Sequence, residues 1–572
     1  MKDSTAPSFC KELFFGNIHE DMVFPYPEVE ADQGENVRLL LESLRKFFDA
    51  NVNAAKIDEE AKIPDEVLRG YKEMGLFGLT IPEEYGGFGF KQAAYCRVLE
   101  EIAGYDVSSI VTVAAHQSIG LKGLILFGTE EQKKKYLPRL ATGEWLAGFA
   151  LTEPSSGSDA GSIKTTAKLS DDKSHYVLSG SKLWVTNGGI AKFFTVFAKT
   201  DDKISAFLVE RDWKGVTNGP EEHKLGIRGS STAALYFEEV KIPVENLLGE
   251  KGKGFKIAME ILNSGRLGLA AGCVGGAKKV LALTLKHAAT RKQFNRPIAE
   301  FGMIQEKIGR MMIGTYVMES MVYLTTGLVE KGVPDFSIES AICKVWVSEE
   351  LWRIVNESLQ IAAGMGYMKE YPYERILRDS RINLIFEGTN EILRLFIALA
   401  GIQGPGTKLK DFATALRDPI KGFGILKEAA VPLVKPWVFG DEFTKQVNDL
   451  KSEAGILEGF VKSLATTAEK LAYRHGKNIV EMEFAQKRLA EIACEIYAMT
   501  AVLSRTSYLV AKKGPGAAKK ELSMAKAFFQ DSQKKTKALL DQVDDNIDEA
   551  LKLISKESCE AQHYDTPGPF DG

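Results

Sequence analysis

The sequence has few cysteines, and none of them stands in a short metal-binding or redox spacing. The six cysteines are scattered between Cys10 and Cys559 over 572 residues, without any CxxC. Such scatter in a long chain argues against a disulfide framework and favours reduced, buried thiols. The seven histidines show no HExxH and no clustered ligand spacing, so we expect no metal site.

Signatures of nucleotide binding and of a nucleophilic serine are also missing. The sequence contains no GxGxxG, the nearest stretch being Gly252-Lys253-Gly254, and neither GxxxxGK[ST] nor GxSxG occurs. These absences count against a Rossmann domain, a P-loop NTPase and an α/β-hydrolase. Because 73 basic residues face 77 acidic ones, no global positive field indicates a nucleic-acid partner.

Long uninterrupted apolar runs are absent as well. Residues 1–11 lack an apolar signal core and an Arg-rich presequence. The longest apolar stretches, such as Leu146–Leu151, are far shorter than a membrane span. We therefore expect an intracellular protein, either cytoplasmic or peripheral to the inner face of a membrane if the source is bacterial.

Hydrophobic periodicity divides the chain into five parts. Apolar residues recur at helical spacing over 1–145, 246–400 and 441–572, whereas 146–245 contains short β-rich runs separated by turns. These runs are too closely spaced for helical crossovers, which argues against a doubly wound sheet. The pattern predicts a mostly α protein with a central antiparallel, barrel-like β domain, a helical bundle and a C-terminal helical extension.

The fifth part, residues 401–440, has two interpretations. It interleaves aromatic and aliphatic residues with lysines, as interfacial membrane segments do, although its glycines and prolines argue against one continuous helix. The alternative is a linker whose apolar residues cover the core. Both interpretations stay open from the sequence.

Four stretches carry a resemblance to a known family. They are Phe149–Ser158 (FALTEPSSGS), Gly180–Gly188 (GSKLWVTNG), Arg291–Phe294 (RKQF) with Gln305 after it, and Arg381–Asn390 (RINLIFEGTN). In this order and spacing they resemble the acyl-CoA dehydrogenases, which are flavoproteins. The resemblance runs from about Phe9 to beyond Tyr508.

The C-terminal extension resembles one branch of that family. Residues 485–490 (AQKRLA) and 496–499 (IYAM) are similar to the very-long-chain branch. That branch includes a paralogue recruited as a respiratory complex I assembly factor, and residues 114–117 (AAHQ) resemble it closely. The resemblance therefore allows an assembly or scaffold role beside an enzymatic one.

The reaction implied by the resemblance needs a base beside a thioester and an acceptor for a hydride. No side chain accepts a hydride, so the resemblance implies FAD. Glu387 lies between apolar residues at a turn before a helix, where burial would raise its pKa and its basicity. From the residues alone it could equally stabilise the helix at 390–399 through the helix dipole. The resemblance implies that Glu387 is the base, because Gly265 stands where some relatives carry theirs.

The resemblance also implies which residues contact FAD. They are Phe149, Leu151, Thr152, Gly157 and Ser158, then Trp184, Val185 and Thr186, then Arg291, Gln293, Phe294, Gln360 and Gly364, and finally Thr389, Asn390 and Glu391. Without the family, these would be an ordinary Ser/Gly turn, a β-core tryptophan and a solvated helix end. In the family Arg291 reaches the FAD of the neighbouring subunit, which implies a homodimer.

Five residues are implied to contact the substrate. They are Ser158, Asn263, Arg266, Phe386 and Gly388. The charge of Arg266 suits the phosphates of CoA, although a surface salt bridge is the alternative. The helix at 108–118 is implied to line the acyl pocket. Its small residues Val113 to Ala115 allow a deep pocket floor or simply close helix packing.

The resemblance thus implies FAD-dependent α,β-dehydrogenation of long-chain acyl-CoA to trans-2-enoyl-CoA in fatty acid β-oxidation. Electrons would pass to an electron-transfer flavoprotein. An assembly role with residual activity and an acyl-CoA oxidase are the alternatives.

Overall fold

The structure is a computed structural model that describes residues 8–28, 31–403 and 442–566. The segment 404–441 lies outside the described residues, and with it both interpretations of 401–440. Within the described ranges the chain forms helices, then a β sheet, then two further sets of helices.

Nine helices precede the sheet. They are α1 (Phe9–Leu13), α2 (Glu20–Val23), α3 (Ala31–Asn51), α4 (Ala54–Glu60), α5 (Asp65–Glu73), α6 (Gln92–Ala103), α7 (Val107–Ala114), α8 (Lys122–Phe127) and α9 (Glu130–Ala141). A capping box fixes the start of α9, since the Thr129 and Gln132 side chains each bond the other's backbone N–H. The helices α1 and α2 contact the helices beyond the sheet, where Ser8 and the Cys10 N–H both donate to buried Glu339.

A buried histidine connects the end of α7 to the sheet. The helix α7 continues as a π-helical stretch, Ala115–Gly120. His116 Nδ1 accepts from the Ala147 N–H at 2.9 Å, and its Nε2 lies 3.1 Å from the carbonyls of Phe77 and Leu140. Burial lowers the pKa of His116 to about 4, so the ring is neutral and Nε2 is the donor.

The sheet forms between α9 and the long helix that follows. Its strands are β1 (Ala147–Ala150), β2 (Thr166–Leu169), β3 (His175–Thr186), β4 (Phe193–Thr200), β5 (Lys203–Glu210), β6 (Val216–Glu221), β7 (Thr232–Pro243) and β8 (Leu247–Leu248). They are ordered β6-β7-β3-β2-β4-β5-β8, with β1 beside β4. The β1–β4 pair is parallel, so the expectation of a wholly antiparallel domain was wrong at this edge.

The remaining elements form the bundle and the extension. They are α10 (Gly254–Thr290), the hairpin β9 (Lys292–Gln293) and β10 (Arg296–Pro297), α11 (Gly302–Glu330), α12 (Ser337–Ala362), α13 (Gly364–Tyr367), α14 (Tyr373–Ser380), α15 (Asn390–Ile402), α16 (Lys451–His475), α17 (Glu483–Lys513), α18 (Lys519–Asp541) and α19 (Asp548–Ala561). Helices α10, α11, α12, α15, α17 and α18 share one hydrophobic core. The predicted fold class, mostly helical with a central β sheet and a C-terminal helical extension, is confirmed.

Two helical segments are long and apolar enough to cross a membrane by length and composition alone. They are Val107–Phe127 and Gly254–Thr290, and 61% of the most apolar window of each is buried inside the protein. Core helices show the same burial, so these segments are weak evidence for a membrane span. The search for uninterrupted apolar runs missed them because their apolar character is spread over small residues.

Candidate active site

A cavity of about 1340 Å³ opens where α7, the sheet, α10 and the turn before α15 meet. Its walls are mostly apolar and come from all three parts of the core. Eleven residues that the sequence analysis assigned to FAD, to substrate or to catalysis line it. They are Phe149, Leu151, Thr152, Gly157, Ser158, Trp184, Thr186, Asn263, Arg266, Phe386 and Gly388. Glu387 joins them, so the fold brings together residues separated by more than 200 positions.

Glu387 occupies a backbone turn that aims its side chain into the cavity. Its φ is 57°, in the left-handed region that non-glycine residues rarely adopt, and Gly388 follows with φ 95°. One carboxylate oxygen, Oε2, is buried without a hydrogen-bond partner. An ideal Cβ on Gly265 of α10 would lie only 2.8 Å from this oxygen. The missing side chain at Gly265 therefore leaves the room that the Glu387 carboxylate occupies.

Helix capping does not explain Glu387. The N-cap of α15 is Thr389, whose Oγ1 accepts from the Ile392 N–H at 3.3 Å. The carboxylate of Glu387 instead faces the cavity. Burial raises its pKa to about 7, and the opposing attraction of Arg266 and Lys344 does not cancel this effect. A carboxyl with that pKa and a free oxygen can act as a base near neutral pH.

Two buried cations hold the turn that carries Glu387. Arg266 Nε donates to the Glu387 carbonyl at 3.3 Å, and its Nη1 donates to Asn263 Oδ1 at 2.9 Å. Lys344 Nζ donates to the Gly388 carbonyl at 2.8 Å and to Asn390 Oδ1 at 2.7 Å. The surface salt bridge considered for Arg266 is thus wrong, because Arg266 is buried beside the cavity.

The sequence analysis missed Lys344. Burial lowers its pKa to about 7, while the charge of Glu387 opposes the shift. The available signal was a lone lysine inside an otherwise apolar helical stretch, residues 341–347 (AICKVWV). A charge at such a position needs partners, and here they are the carbonyl and the amide that follow the base.

The loop after β1 forms another wall and is held from below by a buried ion pair. Lys182 Nζ contacts Glu153 Oε1 at 2.6 Å and also donates to the Leu151 carbonyl. The Glu153 carboxylate further accepts the backbone N–H groups of Lys164 and Thr165. These bonds fix the backbone on both sides of Thr152 and orient the loop that presents Gly157 and Ser158 to the cavity.

An irregularity in the β3–β7 pairing separates the neighbours Trp184 and Val185. The register shifts between Lys182 and Val185, and Trp184 has φ 54°. Trp184 therefore lines the cavity and is 62% exposed, which rules out the alternative of a β-core tryptophan. Val185 points the other way and is buried in the core of the β domain.

Several predicted cofactor residues lie away from the cavity. Arg291, Gln293, Phe294, Gln360, Gly364 and Glu391 are exposed on the surface of the chain. Phe294, in the β9–β10 hairpin, is 88% exposed. Thr389 caps α15, and Asn390 is buried against Lys344, Ser348 and Glu349 behind the turn. The single chain does not bring these residues to the cavity.

Four lysines that the sequence analysis did not single out also line the cavity. They are Lys203, Lys251, Lys253 and Lys256, and all four are exposed. Two of them flank the glycine of Gly252-Lys253-Gly254, which was noted only as an incomplete glycine motif. A row of ammonium groups at the mouth of an apolar cavity suits a ligand with an anionic head and an apolar tail.

Known families match the chain over most of its length. Residues 34–144, 148–240 and 252–401 match the N-terminal, middle and C-terminal domains of acyl-CoA dehydrogenase. Residues 448–564 match a model described as ACAD9/ACADV, C-terminal domain.

Individual proteins and structures are similar over comparable lengths. The mitochondrial very long-chain specific acyl-CoA dehydrogenase of Bos taurus is 44% identical over 90% of this chain and 81% of its own. An acyl-CoA dehydrogenase from Bacillus anthracis complexed with FAD superposes with TM-score 0.79 at 35% identity, covering 97% and 96% of the two chains. A chain in a structure described as the electron transferring flavoprotein of Acidaminococcus fermentans superposes with TM-score 0.62 at 36% identity, covering 65% and 98%.

Proposed function

The chain belongs to the acyl-CoA dehydrogenase family and is an FAD-dependent enzyme, and we propose that its substrates are long-chain acyl-CoA thioesters, which it converts to trans-2-enoyl-CoA. The observation that carries the proposal is the unpartnered Glu387 carboxylate in a large apolar cavity. The 44% identity to a very long-chain enzyme supports the substrate class. A place in fatty acid β-oxidation follows from that substrate.

The residues of the cavity fit FAD. Gly157 has open space wherever a Cβ would point, so its backbone can approach a ligand closely. Trp184 offers an exposed aromatic face, and the hydroxyls of Thr152 and Ser158 are available as hydrogen-bond groups on the same wall. When bound, FAD supplies the acceptor for the hydride that leaves the β-carbon.

The remaining chemistry belongs to side chains of this protein. Glu387 removes the proton from the carbon next to the thioester carbonyl, and its raised pKa makes it basic enough for this step. Arg266 and Lys344 hold the turn in place through the Glu387 and Gly388 carbonyls. The apolar walls exclude water around the reacting carbons, which strengthens these electrostatic interactions.

We propose that electrons leave to an electron-transfer flavoprotein. The similarity to a chain from an electron transferring flavoprotein structure supports this partner. An acyl-CoA oxidase would instead form peroxide in air, and the named relatives favour the dehydrogenase. Residues arranged for turnover around Glu387 favour an enzyme over a purely scaffolding protein. Rapid reduction of the flavoprotein by enzyme and substrate, with little peroxide, would support this partner, whereas stoichiometric peroxide would contradict it.

The lysines at the cavity mouth are expected to bind the phosphates of CoA. The double variant Lys253→Ala/Lys256→Ala should raise KM for acyl-CoA about three- to tenfold with kcat unchanged, because exposed charge contacts are individually weak. Added salt should reduce the difference between variant and wild type. Steady-state kinetics at two ionic strengths measures this effect.

The matched control is Lys519→Ala/Lys520→Ala, which removes two exposed lysines of the extension. It should leave KM unchanged. Equal KM values for the mouth variant and the wild type at low salt would contradict the assignment.

We propose a homodimer in which exposed FAD-contact residues complete a site of the second chain. Phe294 is 88% exposed in the β9–β10 hairpin beside the predicted contacts Arg291 and Gln293. Phe294→Asp should weaken the dimer about 30-fold or more, since buried aromatics are common hot spots of interfaces, and FAD should be lost with it. Analytical ultracentrifugation with flavin absorbance measures both quantities. The control Tyr473→Asp replaces an aromatic that is 87% exposed on α16 and should change neither. A dimer that retains its flavin in the Phe294 variant would refute this interface.

A further inference from the structure

One wall of the cavity is a face of α10 that carries no side chains. Gly265, Gly268, Gly272 and Gly276 all line the cavity, at spacings of three and four residues. Residues at these spacings share one side of a helix. The unpartnered carboxylate of Glu387 lies against the first of them, so the glycine face begins at the reacting centre.

Packing explains three of these glycines but not the fourth. An ideal Cβ would lie 2.8 Å from Glu387 Oε2 at Gly265, 3.1 Å from Leu99 Cδ1 at Gly268 and 2.6 Å from Ile110 Cδ1 at Gly272. At Gly276 the nearest atom is Leu351 Cδ1 at 3.6 Å, an ordinary contact distance. The protein itself therefore tolerates a side chain at Gly276, and the space in front of it is unfilled cavity.

Neighbouring Gly275 shows the contrast. A Cβ there would lie 1.9 Å from the Glu100 carbonyl, so Gly275 permits close helix packing. Gly275 does not line the cavity, whereas Gly276 faces it together with the apolar residues Ala103, Val107 and Leu351. An apolar end of this kind suits the methyl end of an acyl chain.

The length of the glycine face gives the number of carbons it accepts. Gly276 is eleven residues beyond Gly265 on α10, a rise of about 16 Å. An extended backbone advances about 1.2 Å per bond, so a staggered alkyl chain of the same zigzag geometry spans this distance with about 13 bonds. With the α-carbon beside Glu387, the chain end reaches Gly276 at a length of about 16 carbons.

We propose that Gly276 sets the far limit of the acyl channel and thereby the preference of the enzyme for chains of about 16 carbons. The inference rests on the proposed function and adds a residue that determines specificity. A leucine at this position would project four carbon atoms into the end of the channel. It should exclude the last carbons of a long chain and leave the reacting centre, eleven residues away, untouched.

The test compares Gly276→Leu with wild type in anaerobic flavin reduction by octanoyl-CoA and palmitoyl-CoA. We expect the variant to lose at least about tenfold in kcat/KM with palmitoyl-CoA, since each methylene left unburied costs about fourfold. Activity with octanoyl-CoA should stay within about twofold, and the optimum should move to shorter chains. Gly276→Ala should show a smaller shift in the same direction.

The matched control is Gly455→Leu, at an exposed helical glycine with no atom near its Cβ position, which should leave the chain-length profile unchanged. An unchanged palmitoyl preference in Gly276→Leu would overturn the proposal, as would an equal loss with both substrates in a folded, FAD-bound variant. If the leucine variant does not fold, an unchanged profile in Gly276→Ala overturns it. Failure of the wild type to reduce its flavin with any acyl-CoA would instead refute the proposed function.

Discussion

Replacement of Glu387 by glutamine is expected to lower kcat by about 10²–10⁴ while the fold and the FAD content stay intact. Glutamine keeps the shape and a hydrogen-bonding end, but it cannot accept the α-proton. Stopped-flow measurement of flavin reduction gives the chemical step directly. The control Glu453→Gln changes an exposed carboxylate of α16 and should react at the wild-type rate.

The pH dependence of the wild type should carry the same signature. Because burial raises the pKa of Glu387 to about 7, its basic form is populated only above that pH. We therefore expect kcat/KM to fall about tenfold per pH unit below 7 and to level off above it. A pH-independent kcat/KM between 5 and 8 would argue against Glu387 as the base.

Stability should move in the opposite sense from activity. A carboxyl whose pKa is higher in the folded than in the unfolded state stabilises the fold below the unfolded pKa, and this stabilisation is lost as the pH rises through 7. The Glu387→Gln variant should thus be at least as stable as wild type above pH 7. A variant that is inactive because it is unfolded would fail this criterion.

Replacement of Lys182 by methionine is expected to destabilise the protein by about 3–5 kcal/mol, because it leaves a buried carboxylate without its cation. Burial lowers the pKa of Lys182 to about 8, while the hydrogen bond to Glu153 opposes the shift. Burial also raises the pKa of Glu153, but the hydrogen bonds from Lys182, Thr165 and Lys164 outweigh this effect. Denaturant unfolding of the FAD-bound protein measures the loss as a lower midpoint.

The double variant Lys182→Met/Glu153→Gln tests the physical reason. It removes both charges, so much of the lost stability should return. Because the pair orients the loop around Thr152, the single variant should also release FAD at a lower temperature than wild type. A single variant as stable as wild type would show that the two backbone N–H groups on Glu153 suffice without Lys182.

The sequence predicted the fold class because helical and strand periodicities are strong in this chain. The parallel β1–β4 pair was missed since pairing direction leaves no mark in a strand of four residues. A helix was predicted from residue 384, but α15 starts at Asn390. The residues before it form a turn whose left-handed Glu387 and Gly388 serve the site, against the local helical preference.

The site was predictable where the family motifs lie and was not where tertiary structure alone creates it. The motifs led to Glu387, Arg266 and the loop before Ser158, all of which line the cavity. Lys344 belongs to no motif, and its role follows from its burial beside Gly388. Gly276 looks like any glycine in a helix until the neighbours of its missing side chain are known.

Anaerobic addition of palmitoyl-CoA to the FAD-bound protein tests the catalytic role of Glu387 most directly. The wild type should lose its visible flavin absorbance within the dead time of manual mixing. The Glu387→Gln variant should bind the same amount of FAD and keep its absorbance over the same period. Bleaching of the variant at the wild-type rate, or a wild type that no acyl-CoA bleaches, would contradict the proposed reaction.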